Sequence, residues 1–362
     1  MYLPIYFHDG EVKKMRNPKV LAIGTAVPGH SLSQAEIKEF AASLFRSQLM
    51  QIDRLLPVFD NGCIKKRHIA KPLAWYGEKH SFTQANEQYA AEALKLAKAA
   101  AQEAIEWAGI SPEKIGMVVF VSSTGIATPT LDARLIQDLG LSLHTSRVPI
   151  WGLGCAGGVS GLARAAELYG GGNYEAVLMI AVELCSLTFQ RDDFSKSNLV
   201  GTSIFADGAA AVVLSSDGEG PEIIGSCSML FPDTEDMMGW DLIDSGFKVR
   251  FSRDIPSIIR NNLPDLLKQA CQHWGVDPNE IVHYVVHPGG AKVLAAYADS
   301  LGIPDHCLQQ GYEVLSANGN MSSCSVLFVL NEFLHDVPPS GDYGVMLALG
   351  PGFSSEQVLF RW

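Results

Sequence analysis

The sequence predicts an α/β protein built from two similar lobes, and three observations carry that prediction. Continuous apolar runs at 117–121 and 177–182 and a mostly apolar one at 282–286 alternate with longer stretches of helical periodicity, the pattern of a largely buried sheet flanked by helices. The stretch Gly-Ile-Ser-Pro-Glu-Lys-Ile at 109–115 returns as Gly-Val-Asp-Pro-Asn-Glu-Ile at 275–281, 166 residues later. The pair Gly154-Cys155 falls on Gly319-Asn320 at an offset of 165. Two matches in one order at nearly one spacing point to a duplicated unit.

In chain order, Ser33 and Glu36 form a capping pair that opens a helix ending near Phe45. An Ala-rich stretch from about Asn86 to Trp107 reads as a second helix, stopped by Gly109 and Pro112. The runs at 117–121 and 177–182 read as buried parallel strands. A Gly, Ser and Asp cluster at 215–220 marks the division. The expected lobes are therefore 1–217, carrying Cys155, and 218–362, carrying His287 and Asn320.

Bulk properties narrow the function. A chain of 362 residues with 47% hydrophobic and 18% charged residues has material for a sizeable core. Its net charge of −12 and lack of a basic stripe argue against a nucleic-acid partner. Asp9 and Glu11 interrupt the N-terminus where a secretion signal needs an apolar core, and no apolar stretch is long enough to span a bilayer. The seven cysteines are an odd number without CxxC spacing. They read as reduced cytoplasmic thiols, with neither a disulfide framework nor a metal site.

Three glycine-rich segments carry the candidate chemistry. In Trp151-Gly-Leu-Gly-Cys155-Ala-Gly-Gly158 a strand gives way to a helix. Cys155 is then expected at a helix N-terminus, where free N–H groups lower a thiol pKa. Gly157 and Gly158 are expected to leave room for a substrate beside the sulfur. The same residues spell Gly152-x-Gly154-x-x-Gly157, formally a dinucleotide fingerprint, but no convincing ribose carboxylate follows. His287-Pro-Gly-Gly290 follows an apolar strand, at the carboxyl end where open α/β sheets bind ligands. Its imidazole could pair with a thiolate or donate to a thioester carbonyl. Ser316-Ala-Asn-Gly-Asn320 precedes the matching helix, and Asn318 or Asn320 could be an N-cap or an oxyanion donor. Free cysteines, lone histidines and Ser/Asn clusters more often pack or cap than catalyse.

Together these segments resemble a known family. Gly154-Cys-Ala-Gly-Gly158, His287-Pro-Gly-Gly290 and Gly319-Asn-Met-Ser-Ser323 are similar to the Cys, His and Asn motifs of the chalcone synthase-like type III polyketide synthases. Phe205-Ala-Asp-Gly208 and Leu349-Gly-Pro-Gly-Phe353 resemble that family too, and the likeness runs from about Pro18 to the C-terminus. It implies a thiolase-like fold of two duplicated lobes in αβαβα layers. It also implies Cys155 as acyl carrier, with His287 and Asn320 holding the malonyl-CoA carbonyl, and selects Asn320 over Asn318. Phe205 matches a gatekeeping aromatic between coenzyme A tunnel and active-site cavity. The implied partners are acyl-CoA and malonyl-CoA, with no metal or redox cofactor, in a cytoplasmic homodimer.

The departures bear on substrate. Val249 stands where plant enzymes carry a second gatekeeping Phe, Cys185 where they have Thr, and Trp240 where they have Gly. Val249 should admit a longer acyl chain, and Trp240 should narrow the plant-type elongation pocket. The stretches at 53–56, 75–76 and 183–189 look most like bacterial alkylpyrone and alkylresorcinol synthases, which extend long fatty acyl starters. Arg54 and Lys292 are the expected coenzyme A contacts. The competing expectations are a single condensation like that of β-ketoacyl synthase III, and an acyl-CoA-binding relative without catalysis.

Overall fold

A computed structural model describes residues 16–46 and 52–362; the N-terminal reading on Asp9 and Glu11 lies outside them. The first half runs β1 (Lys19–Ala26), β2 (His30–Ser33), α1 (Gln34–Phe45), α2 (Ile52–Leu55), α3 (Pro57–Asp60), β3 (Lys66–Ile69), α4 (Leu73–Gly77), α5 (Phe82–Ala108) and β4 (Ile115–Val121). It continues through α6 (Asp132–Asp138), β5 (Ser146–Ile150), α7 (Gly157–Gly171), β6 (Ala176–Leu184), α8 (Lys196–Ile204) and β7 (Asp207–Ser215). The second half comprises β8 (Glu222–Leu230), β9 (Met238–Ile243), β10 (Gly246–Phe251), α9 (Ile255–Trp274), β11 (Ile281–Val286) and α10 (Ala291–Leu301). It ends with α11 (Gln309–Asn318), α12 (Ser325–His335), β12 (Tyr343–Gly350) and β13 (Ser354–Arg361).

The duplication expected from the sequence is visible in the strand order β11-β12-β13-β8-β1-β7-β6-β4-β5. Outward from the centre, β1, β7, β6 and β4 meet in antiparallel, antiparallel and parallel pairs, and β8, β13, β12 and β11 do the same. The halves join where Lys19 pairs with Glu222. The sequence repeat is a structural one. Gly109 and Gly275 end their helices in the left-handed region, at φ 62° and 73°, which glycine adopts without a Cβ clash. Each is followed by a short 3₁₀ turn and then a buried strand, β4 or β11.

Alternation along the strands sorts the core into layers. Val119, Val121, Val177 and Met179 face α7 and α12, which also pack on Met346, Ala348, Val358 and Phe360 of the other half. Their neighbours Val118, Phe120, Leu178 and Ile180 face α5 on the outside. On the far side α9 and α10 cover Val286, Val345 and Leu347. The result is helix, sheet, helix, sheet, helix, the αβαβα order of a thiolase-like fold.

The Ala-rich composition of α5 serves close approach, since a Cβ on Gly24 of β1 would lie 2.1 Å from the Ala100 carbonyl oxygen. This helix begins at Phe82, four residues before the sequence expectation, on a capping box formed by Ser81 and Gln84. The expected box at Ser33 and Glu36 opens α1.

Candidate active site

Three chain segments converge on one cavity of about 590 Å³, whose wall includes Cys155, His287 and Asn320. Cys155 lies in the 3₁₀ turn 154–156 that leads into α7, as the sequence predicts. Gly154, at φ 47°, lets this turn pack on Pro351, which a Cβ would meet at 2.8 Å. Gly157 and Gly158 have a different use from the one expected. A Cβ on Gly158 would lie 2.1 Å from the Ser323 carbonyl oxygen, and one on Gly157 would meet Val121 and Ser323. These glycines let the starts of α7 and α12 touch; they do not open space for substrate.

The dinucleotide reading fails here for a physical reason. Gly152 N–H and Gly154 N–H, which would cradle a pyrophosphate, both donate to the Ser123 hydroxyl.

His287 follows β11, its N–H donating to the Leu347 carbonyl and its carbonyl accepting from Gly289 N–H. Asn320 is held on every side. Its N–H donates to Ile204, its carbonyl accepts from Ala206 N–H, and its Oδ1 accepts from Ser322 N–H at 2.8 Å. Its Nδ2 donates to the Gly289 carbonyl at 3.0 Å, which leaves one amide hydrogen for a ligand. Asn318, the last residue of α11, turns back on its own helix, donating to the Val314 carbonyl. Between the two asparagines, the cavity takes Asn320.

Burial dominates the electrostatics. Cys155 and His287 are 6% and 3% exposed. Desolvation pushes the Cys155 thiol up to about 12, against the lowering influence of the Ser322 and Asn320 side chains, and pushes the His287 imidazole down to about 3. The helix N-terminus does not bring a net lowering of the thiol pKa, because desolvation is the larger effect. Burial thus favours the uncharged thiol and the neutral imidazole over a thiolate–imidazolium pair. A neutral imidazole is poised as a base or a hydrogen-bond donor.

Glu183, at the end of β6, is fully buried beneath this centre and links the two halves. Its carboxylate accepts from Ser123 N–H, the Thr124 hydroxyl and the Ser323 hydroxyl. Burial raises it to about 7, although those hydrogen bonds oppose the rise. The native state then holds a proton that an ordinary carboxyl releases near 4.5, so stability falls as pH rises from about 4.5 to 7. Glu183→Gln should remove on the order of 3 kcal/mol of that fall. Asp207, also raised to about 7 by burial, keeps its own share. Melting temperatures across this range check it; identical slopes in both proteins would contradict it.

The residues expected to shape the cavity gather elsewhere. Cys185, Phe205 and Val249 line a second, apolar cavity of about 70 Å³, much smaller than the first. Phe205 stands between the two spaces. Its ring packs at 5.5 Å on Phe251, which lines the larger cavity, and at 6.1 Å on Trp240. Its backbone bridges to Asn320, and its carbonyl accepts from the buried Arg67. Trp240 fills space between Phe205 and Phe247, and its indole N–H donates to the Ser123 carbonyl at 2.9 Å.

Arg54 and Lys292 both lie on the larger cavity, as expected, and with them come Lys196 and Arg253. All four are exposed, none has an ionic partner among the described residues, and no carboxylate shares that wall. Lys196 and Arg253 were not legible as site residues, because only folding brings α8 and the turn before α9 to this mouth.

Comparison with known proteins gives a consistent result. The profile of the N-terminal domain of chalcone and stilbene synthases matches residues 11–218, and that of their C-terminal domain matches 222–362. A Bacillus subtilis (strain 168) protein bearing a provisional chalcone synthase name is 43% identical, over 95% of this chain and 98% of its own. The 1,3,6,8-tetrahydroxynaphthalene synthase of Streptomyces peucetius subsp. caesius is 38% identical, over 96% and 94%. Among solved structures, the Streptomyces coelicolor A3(2) enzyme of that name, a bacterial type III polyketide synthase, superposes with a TM-score of 0.91. It is 28% identical, with 95% of this chain and 99% of its own covered.

Proposed function

The chain belongs to the chalcone and stilbene synthase family, and on that premise we propose that it extends long-chain fatty acyl-CoA starters with malonyl-CoA and closes the products as alkylpyrones or alkylresorcinols. As a type III polyketide synthase it is a condensing acyltransferase, and its family works on coenzyme A thioesters without a further cofactor. That excludes the non-catalytic alternative. The observation that carries the long-chain reading is the lining of the 590 Å³ cavity. Beside Cys155 it is walled by Leu199, Val200, Ile204, Ile255, Ile259 and Leu349, more aliphatic surface than a short or polar starter would use. The small space beside Val249 supports the reading less, since a long tail exceeds it.

In the proposed mechanism the Cys155 thiol gives its proton to His287 as sulfur attacks the starter thioester. The tetrahedral intermediate expels coenzyme A thiolate, which takes the proton back from the imidazolium. Malonyl-CoA then binds with its thioester carbonyl between His287 and Asn320. Loss of carbon dioxide leaves the bond's electron pair as an enolate, stabilised by those fixed donors. The enolate carbon attacks the acyl thioester and releases Cys155, which takes up the lengthened chain for another round.

Arg54, Lys196, Arg253 and Lys292 would hold the coenzyme A phosphates, a local cationic mouth on a chain of net charge −12. Their joint replacement by alanine should raise KM for malonyl-CoA with kcat retained, and an unchanged KM would count against this site. The proposal includes a homodimer through the free edge strand β5, beside which Ile126 and Trp151 are 43% and 55% exposed. Sedimentation at the single-chain mass of 39.1 kDa would sink that part. The seven cysteines are unpaired, in keeping with a reducing cytoplasmic setting. No helix among the described residues is long and apolar enough to cross a membrane.

A second reading rests on the tetrahydroxynaphthalene synthase relatives: a tail-free aromatic product that needs no fatty starter. Purified protein with malonyl-CoA and starters from acetyl- to stearoyl-CoA separates the two. Long-chain pyrones or resorcinols are expected. A naphthalene from malonyl-CoA with no long-chain product would overturn the starter assignment, and products of one extension only would favour the β-ketoacyl synthase-like alternative.

A further inference from the structure

Helix α10 begins directly after His287-Pro-Gly-Gly and carries Tyr297, which is fully buried and lines the same cavity as Cys155, His287 and Asn320. Among the described residues, the buried side-chain polar atoms on that wall without a hydrogen-bond partner are both ring nitrogens of His287 and the hydroxyl of Tyr297. Other buried tyrosines are satisfied. Tyr89 donates to Ser122, Tyr169 to Ser216 and Tyr284 to the Ile281 carbonyl, while Tyr76 pairs with Ser186. An orphaned buried hydroxyl costs stability that a phenylalanine of the same shape would not, so packing does not explain it.

We infer that the Tyr297 hydroxyl donates a hydrogen bond to an oxygen of the acyl chain carried on Cys155. The inference rests on the synthase mechanism proposed above. There, one carbonyl oxygen is already supplied by His287 and Asn320, and two donors match its two lone pairs. A third donor serves a second oxygen. The acyl carbonyl on Cys155 gains negative charge when the enolate attacks, and a prepositioned donor is worth most at that moment. Burial, and then the nearby Cys155, hold the Tyr297 hydroxyl well above its ordinary value. It stays protonated and acts as a donor, not a base.

The test is Tyr297→Phe, read three ways. Condensation of the best starter with malonyl-CoA should slow roughly 10²-fold in kcat. Release of acetyl-CoA from malonyl-CoA without a starter should stay within about twofold, because that step uses the other carbonyl. The melting temperature should hold or rise, since no partnered bond is lost. Unchanged condensation overturns the inference, as does a lower melting temperature, which would reveal a structural partner. Equal losses in both reactions would move the hydroxyl to the malonyl carbonyl and overturn it as well. Should the unaltered protein form no polyketide from any starter, the synthase mechanism itself falls, a different result from any of these.

Discussion

Cys155→Ala should lose condensation by about 10⁴-fold or more while still converting malonyl-CoA to acetyl-CoA. The two activities separate because the groups come from different segments. The sulfur belongs to the turn ahead of α7, whereas His287 and Asn320 are anchored through Leu347, Gly289 and Ile204. Removing Sγ leaves those anchors untouched, so the proposed carbonyl site for decarboxylation should persist. Cys155 is buried, 6% exposed, and truncation to alanine removes one atom beside an existing cavity, so the fold should tolerate it. Product masses and acetyl-CoA release, measured on the same preparation, check both halves. Loss of both activities together would mean that the thiol also supports decarboxylation, and the separation drawn here would be wrong.

The converse experiment has an effect nearly as large. His287→Ala and Asn320→Ala should each lower malonyl-CoA decarboxylation by roughly 10²- to 10³-fold, the cost of one preorganised donor to a developing oxyanion. Cys155 should still acquire an acyl group in Asn320→Ala. In His287→Ala loading itself should slow, because the proposed mechanism makes the imidazole the thiol's proton acceptor. This asymmetry is the informative feature. Burial lowers His287 and raises Cys155, which favours proton transfer as sulfur attacks over a ready-made thiolate. A loading rate equal to that of the unaltered enzyme in His287→Ala would show that another base serves. Single-turnover loading, followed by intact mass, makes the comparison.

What the sequence made legible follows from how local each signal is. The duplicated lobes announce themselves because the repeated Gly-x-x-Pro segments obey one short-range rule in both halves: a left-handed cap, a 3₁₀ turn, a buried strand. Cys155, His287 and Asn320 are legible because glycine-rich turns at strand and helix ends are local features, and the family likeness assigned their partnership. Effects that depend on packing were not legible. The role of Gly157 and Gly158 is set by Ser323, more than 160 residues away. The pKa of Cys155 was expected to fall with the helix terminus, yet the burial that raises it is a property of the whole fold. Val249 was expected to admit a longer acyl chain and Cys185 to alter the cavity wall, but both line a smaller cavity than the one that Cys155 lines. Lys196 and Arg253 gave no local sign of joining Arg54 and Lys292. By contrast, the Ser81–Gln84 cap is a local signal, and it starts α5 at Phe82, four residues before the expected Asn86.

The most direct test of the central claim is the mass of the intact protein, and of its proteolytic peptides, after a short incubation with stearoyl-CoA. One stearoyl group per chain is expected, located on the peptide containing Cys155, absent from Cys155→Ala and discharged when malonyl-CoA is added. No adduct, or an adduct on another cysteine such as the exposed Cys63 that malonyl-CoA does not discharge, would contradict it.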